Sequence, residues 1–385
     1  MNQLVLKTCP YAKECGGCQY QGIPYFKQLL IKQDKVNSLL SGFCRVNKII
    51  GMENPYFYRH KIQAAFKTDR RKNIICGTYQ TSTHRVVDID RCQIQEETAD
   101  KIVQTIKGLM KDFKLRPFDE DRLEGFLRHV QIRYGYHSKQ IMVILVTGSF
   151  MFPSKKDFVK ALIKLHPNIT TIIHNVNKRK TSMILGEKSE VLYGKGKIED
   201  QLFDYRFMIS PTSFYQINPQ QTEVIYQTAI DYANLSSNMT LLDAYCGTGT
   251  IGILASKKVK EVIGVELNKE AIKDAIANAK LNNIDNIDFV NADAAKYMLM
   301  MAQNKKKLDV VIVDPPRKGC EKTFLDALIQ VAPKSIVYIS CNPVTLANDL
   351  AVLSKHYDVK KIQPVDMFPF TEHVETVVLM SRVDK

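Results

Sequence analysis

Apolar and polar positions follow one rhythm in the first half of the chain and another in the second. Runs at 61–66, 129–133 and 140–146 alternate with the two-residue period of strands and predict an antiparallel sheet. Apolar spacing of three and four residues predicts helices over 25–40, near 97–113 and over 155–165. In the first of these, Phe26, Leu29, Leu30, Val36, Leu39 and Leu40 are the apolar positions. From about Tyr205 onward, apolar runs at 241–243, 261–266, 287–290, 308–313 and 335–339 recur with helical material between them. That spacing specifies βα units and a parallel sheet, whose ligands gather at the carboxyl ends of the strands. The chain thus reads as an α/β protein in three parts: a cysteine-rich loop and helix over 1–50, a basic α+β domain over 51–200, and a mostly parallel α/β domain over 201–385.

Charge sharpens this division. Residues 1–200 hold 34 Lys and Arg against 19 Asp and Glu, and the rest of the chain is nearly neutral, so the first half is expected to grip a polyanion. Arg59, Lys61, Arg128 and Arg133 are candidates for that face. No run approaches membrane-span length, and Met1–Lys7 has no apolar core of signal-peptide length, so a cytoplasmic protein without a membrane partner is expected. In a reducing compartment nine cysteines are not a disulfide framework. Some need another explanation.

Ser340-Cys341-Asn342-Pro343 follows a strand-like run and precedes a helical one. Asn342 suits an N-cap and Pro343 the first helical turn, so Cys341 lies at a strand's carboxyl end beside a helix's free N–H groups. Such a place favours thiolate, although a buried structural cysteine suits the same junction. Gly247, Gly249 and Gly252 satisfy G-x-G-x-x-G, and Glu266, nineteen residues after Gly247, is placed to take a ribose diol. A nicotinamide dinucleotide and S-adenosylmethionine both fit. Asp293 suits an adenine amino group and tilts the balance to S-adenosylmethionine, but it also suits a helix cap. Asp314-Pro315-Pro316-Arg317 is a stiff turn that holds a carboxylate at the sheet edge, which is not a dehydrogenase feature.

Taken in order, Ser213-Phe214-Tyr215-Gln216-Ile217-Asn218, Asp243 to Gly249, Asp314-Pro315-Pro316-Arg317, Ser340-Cys341-Asn342-Pro343 and Asp366-Met367-Phe368-Pro369 to His373-Val374-Glu375 resemble the RNA uracil-5-methyltransferase family. The likeness covers nearly the whole chain and is greatest to the 23S ribosomal-RNA members that carry an iron–sulfur cluster. It implies a Rossmann-like S-adenosylmethionine-dependent methyltransferase domain behind an RNA-binding domain, and 5-methyluridine as product. It makes Cys341 the nucleophile and Glu375 the base, and assigns cofactor contacts to Gln216, Tyr245, Gly247, Thr250, Glu266, Asp293 and Asp314. Strand alternation places His373, Glu375 and Val377 on one face and leaves Glu372, the rival base, on the other.

Cys9, Cys15, Cys18 and Cys92, with five, two and 73 residues between them, resemble the cluster ligands of the ribosomal members. Spacing alone suits a [4Fe–4S] cluster or zinc equally, and the resemblance selects the cluster. Cys44, Cys76, Cys246 and Cys320 are expected to pack. Many ribosomal members begin with a β-barrel, whereas eight residues precede Cys9, so the basic domain is expected to do more of the gripping. Ribosomal RNA with an unstacked uridine is the expected substrate, and no obligate protein partner is implied. The same chemistry on transfer RNA is the alternative, and a dinucleotide-dependent oxidoreductase with an electron-carrying cluster the more distant one.

Overall fold

The computed structural model describes residues 8–383, so the expectation for Met1–Lys7 lies outside the described residues. The first sheet contains β1 (Lys61–Thr68), β2 (Ile74–Tyr79), β3 (Val86–Asp88), β4 (Leu127–Tyr134), β5 (Ile141–Thr147), β6 (Ile169–Val176) and β7 (Lys188–Tyr193), in the order β3-β2-β1-β4-β5-β6-β7. β5 is apolar at nearly every position and buried throughout. Its Ile141, Val143 and Leu145 share a core with residues 97–112 and 155–165, while Met142, Ile144 and Val146 meet Ile198 and Ile209 on the other face. Pairing is antiparallel from β3 to β5, but β6 runs parallel to β5. The helix at 155–165 makes this crossover, because a parallel partner requires the chain to return to its starting end.

Arg128 and Arg133, two of the candidates for the polyanion-gripping face, are both buried and clamp loop carbonyls. Arg128 is 2% exposed, pairs with Glu120 at 2.9 Å and donates to the carbonyls of Asn177, Arg179 and Thr181. Arg133 is 4% exposed and donates to the carbonyls of Pro211 and Ser213. A guanidinium carries five donors and can close several loop carbonyls at once, which draws it inward.

Helix α1 (Tyr25–Leu40) occupies the predicted span, and its inward face combines expected apolar residues with an unexpected polar pair. Its buried row is Gln28, Lys32, Val36 and Leu40, a ridge of residues four apart, whereas Phe26 and Leu30 are 62% and 58% exposed. The polar pair is buried because the loop before residue 375 satisfies it: Lys32 Nζ reaches Asp366 at 2.6 Å and the Phe368 carbonyl at 3.0 Å, and Gln28 accepts from Phe370 N at 2.8 Å. Helices α2 (Glu97–Asp112) and α3 (Lys155–Leu165) belong to the first sheet, and the hairpin β8 (Ile198–Leu202) and β9 (Tyr205–Ile209) follows it.

The second sheet contains β10 (Thr240–Ala244), β11 (Glu261–Glu266), β12 (Ile287–Asn291), β13 (Val310–Val313), β14 (Ser335–Ser340), β15 (Tyr357–Val365) and β16 (Glu375–Arg382), in the order β12-β11-β10-β13-β14-β16-β15. Strands β10 to β14 are parallel, as their spacing predicts. The last two form a hairpin instead: β16 lies between β14 and β15, antiparallel to both. Helices α4 (Pro219–Ala233), α5 (Thr250–Ala255), α6 (Lys269–Leu281), α7 (Ala294–Gln303), α8 (Lys322–Val331) and α9 (Pro343–Leu353) accompany these strands. α1, α7, α8 and α9 contribute to the core on one face, and α4 and α5 to that on the other. With both faces covered, the strands are near-continuous apolar runs. The chain leaves β10 toward β11 on one side and later returns on the other with β13. A crevice opens at such a switch point, at the strands' carboxyl ends. Among the described residues no helix is long and apolar enough to cross a membrane.

Candidate active site

The crevice beside β10 is lined by Gln216, Tyr245, Gly247, Thr250 and Asp314, together with Phe214 and Tyr226. Its glycine-containing turn is held in a conformation few residues adopt. Tyr245 has φ +65° and Gly249 φ +79°, and a Cβ on Gly249 would stand 2.7 Å from the Phe289 ring. Asp243 anchors the turn from below, accepting from Gly252 N at 2.8 Å, and burial pushes its carboxyl up to about 7. Glu266 accepts from Gly247 N at 3.2 Å and from Asn268 N at 2.7 Å, so it stands against the turn at the end of β11. Asp293 caps α7 by accepting from Lys296 N at 3.0 Å, as its alternative reading anticipated. Tyr226 is buried and lines the crevice alongside Gln216 and Thr250. Its only trace in the sequence is a position on the apolar face of α4, so sequence reasoning missed it.

Cys341 follows the last residue of β14 and precedes α9, whose N-cap is Asn342 and whose first residue is Pro343. The Asn342 side chain accepts from Val344 N at 3.1 Å and donates to the Arg317 carbonyl at 3.2 Å. One residue therefore caps the helix and ties the Asp314–Arg317 turn to the cysteine. Ser340 pairs with Thr376 in the antiparallel register of β14 and β16, which brings Cys341, just after Ser340, and Glu375, just before Thr376, to the same end of the sheet. Glu375 is 6% exposed, whereas Glu372 is exposed in a bend. Alternation does not separate these two, because β16 is interior and Val374, Glu375, Thr376 and Val377 are all buried.

The electrostatics correct one expectation. Burial, then the carboxylates of Glu375 and Asp314, push the Cys341 thiol up to about 11, with Arg317 opposing them. The helix start alone does not make a resting thiolate. Burial and Asp314 push Glu375 up to about 8, again against Arg317, and burial pushes Asp314 up to about 7. Arg317 is thus the cation that acts on both reactive groups. It is present in the Asp-Pro-Pro-Arg motif, but its reach to residues 341 and 375 is visible only in the fold.

Cys9, Cys15, Cys18 and Cys92 line a single pocket with Arg59 and Thr78. Cys15 Sγ lies 3.1 Å from the Thr78 hydroxyl, and Asp100 accepts from Cys92 N at 2.6 Å. Among the described residues no three His, Cys, Asp or Glu side chains gather as ligands of one metal ion. Cys76 and Cys246 are buried, Cys44 donates to the Lys360 carbonyl at 3.4 Å, and Cys320 Sγ donates to the Tyr338 hydroxyl at 3.6 Å.

A sequence profile for tRNA (uracil-5-)-methyltransferase matches residues 24–383. A Clostridium tetani protein described as an uncharacterized RNA methyltransferase is 43% identical over 378 residues, which is 97% of this chain and 82% of that protein. A Halalkalibacterium halodurans protein of the same description is 42% identical over the same shares. The solved structure of a Pyrococcus abyssi tRNA (uracil-54, C5)-methyltransferase in complex with S-adenosyl-L-homocysteine superposes with TM-score 0.79 at 29% identity, covering 95% of this chain and 86% of that one. These matches displace the oxidoreductase alternative and support S-adenosylmethionine as the cofactor. By fold and by likeness over nearly its whole length, the chain belongs to the tRNA (uracil-5-)-methyltransferase family and is an S-adenosylmethionine-dependent RNA uracil-5-methyltransferase.

Proposed function

We propose that this enzyme methylates uracil C5 in ribosomal RNA, the 23S molecule in particular, through a covalent bond between Cys341 and uracil C6. The observation that carries the chemistry is that the Ser340–Thr376 pairing brings the adjacent Cys341 and Glu375 close enough for the carboxylate to act on the thiol. Uracil C5 is too weak a nucleophile to take a methyl group directly. Once the Cys341 thiol has lost its proton to solvent, addition of the thiolate to C6 breaks the C5–C6 double bond and makes the ring an enolate that is nucleophilic at C5. S-adenosylmethionine supplies an electrophilic methyl group when bound, with Gln216, Tyr245, Gly247, Thr250, Glu266, Asp293 and Asp314 as its contacts. After C5 is methylated, the Glu375 carboxylate takes the C5 proton, the double bond re-forms, and the Cys341 sulfur leaves. Glu375 serves better than Glu372 because it is buried beside the thiol.

The ribosomal assignment rests on the four cysteines. Cys9, Cys15, Cys18 and Cys92 share one pocket, and we assign them to a [4Fe–4S] cluster. Four thiolates lining one pocket are a donor set that would hold such a cluster, with zinc as the alternative occupant. Transfer RNA is the second reading, favoured by the Pyrococcus abyssi likeness.

Incubation with 5-fluorouridine RNA tests the chemistry, since fluorine cannot leave as a proton and the adduct persists. A covalent complex by mass spectrometry with the parent and none with Cys341→Ala is expected; an adduct in Cys341→Ala would overturn the mechanism. Comparing 5-methyluridine positions in both RNAs from cells with and without the gene decides the substrate.

A further inference from the structure

Lys61 and Arg133 stand opposite each other as register partners on β1 and β4. Like charges in that relation repel, and no carboxylate pairs with Lys61 among the described residues. Burial, and then the cations Arg133 and Arg59, push the Lys61 ammonium down to about 8. The nearby Asp200 is already engaged by the N–H groups of Tyr136, His137 and Ser138.

Both cations line a cleft with His60, Tyr134, Tyr215 and Gln216. Tyr215 and Gln216 also line the S-adenosylmethionine crevice, so one wall serves both spaces. Two buried polar atoms in this lining have no hydrogen-bond partner, Arg133 Nε and Tyr215 Oη. Buried donors are nearly always satisfied, so such a pair points to a ligand or an ordered water.

Resting on the RNA reading above, we propose that Lys61 and Arg133 form an anion subsite for a phosphodiester next to the target uridine, pinning the backbone while the base turns into the crevice. Free space in the cleft is about 10 Å³, which admits one phosphoryl oxygen and leaves the rest of the diester outside. Phosphate contacts of this kind set register and carry no base preference. A pinned phosphate beside the hinge resists the slippage that would return the base to its stack.

The test uses an RNA fragment that the parent enzyme methylates, made with natural phosphates or with a neutral methylphosphonate at either phosphate flanking the target uridine. Lys61→Gln is expected to bind the natural RNA about tenfold more weakly and to lower the slope of log affinity against log salt by about one. One of the two methylphosphonates should weaken the parent similarly and cost Lys61→Gln nothing more. Lys61→Arg should restore binding, with S-adenosylmethionine affinity unchanged in all three proteins. Parent-like RNA affinity and salt slope in Lys61→Gln, or an equal methylphosphonate penalty in both, would overturn the subsite alone. A parent that methylates no uridine in ribosomal or transfer RNA overturns the preceding reading and this one with it.

Discussion

Cys341 directly follows Ser340 and Glu375 directly precedes Thr376, the terminal register pair of β14 and β16, and the Glu375 carboxylate raises the cost of charging the Cys341 thiol. A buried thiolate and a buried carboxylate side by side repel, so the resting pair favours its protonated forms. The proposed cycle needs the two anions at different moments, the sulfur first and the carboxylate after methylation.

Glu375→Gln should allow sulfur addition and methylation but leave the C5 proton without an acceptor. Turnover is expected to fall about 10²–10⁴-fold while methyl-labelled RNA accumulates on the protein as a slow band in a denaturing gel. Glu372→Gln should keep parental turnover. Free methylated RNA released by Glu375→Gln at the parental rate would remove Glu375 from its role.

The pH dependence has a definite sign. Both reactive forms are deprotonated ones, from a thiol near 11 and a carboxyl near 8, so both increase as pH rises. Alkylation of Cys341 by iodoacetamide, followed by peptide mass spectrometry, should accelerate about tenfold per pH unit between pH 7 and 9. Glu375→Gln removes one of the charges that raise the thiol and should move the curve to lower pH. A parental rate that levels off below pH 8 contradicts the raised thiol.

Lys32 and Asp366 form a fully buried ion pair at 2.6 Å. Lys32→Met leaves a buried carboxylate alone and should cost about 3–5 kcal/mol in chemical denaturation. Adding Asp366→Leu should recover part of that loss. If the double variant is less stable than Lys32→Met, the carboxylate has another partner.

Asn342→Ala removes the α9 cap and the tether to Arg317, with an expected loss of about 1 kcal/mol. Asn342→Asp retains the acceptor for the cap and loses the donor to the Arg317 carbonyl. It should keep the parental melting temperature while slowing single-turnover adduct formation about tenfold. Equal adduct rates for Asn342→Asp and the parent would show that the tether does not position Cys341.

The local elements were legible because spacing encodes them. α3 spans the predicted 155–165, β11 the predicted 261–266, and α1 the predicted 25–40. The junction around Cys341 was equally clear, since N-cap and first-turn preferences belong to Asn342 and Pro343 themselves. The inward face of α1 was legible only in part: Val36 and Leu40 lie on it, but Gln28 and Lys32 complete it while Phe26 and Leu30 stay exposed, because the loop that satisfies the polar pair lies more than 330 residues away. The burial of Arg128 and Arg133 was hidden for the same reason, as loop carbonyls fold over them.

By itself, then, the sequence determined the periodic elements, the βα order that opens a crevice beside β10, and the motif residues carried there, because each depends on neighbours within a few positions. Only the tertiary structure decided that β16 inserts beside β14, that Glu375 rather than Glu372 is buried against Cys341, and that the thiol rests protonated. Burial and charge are sums over groups that meet only when distant strands pair, and local spacing contains neither.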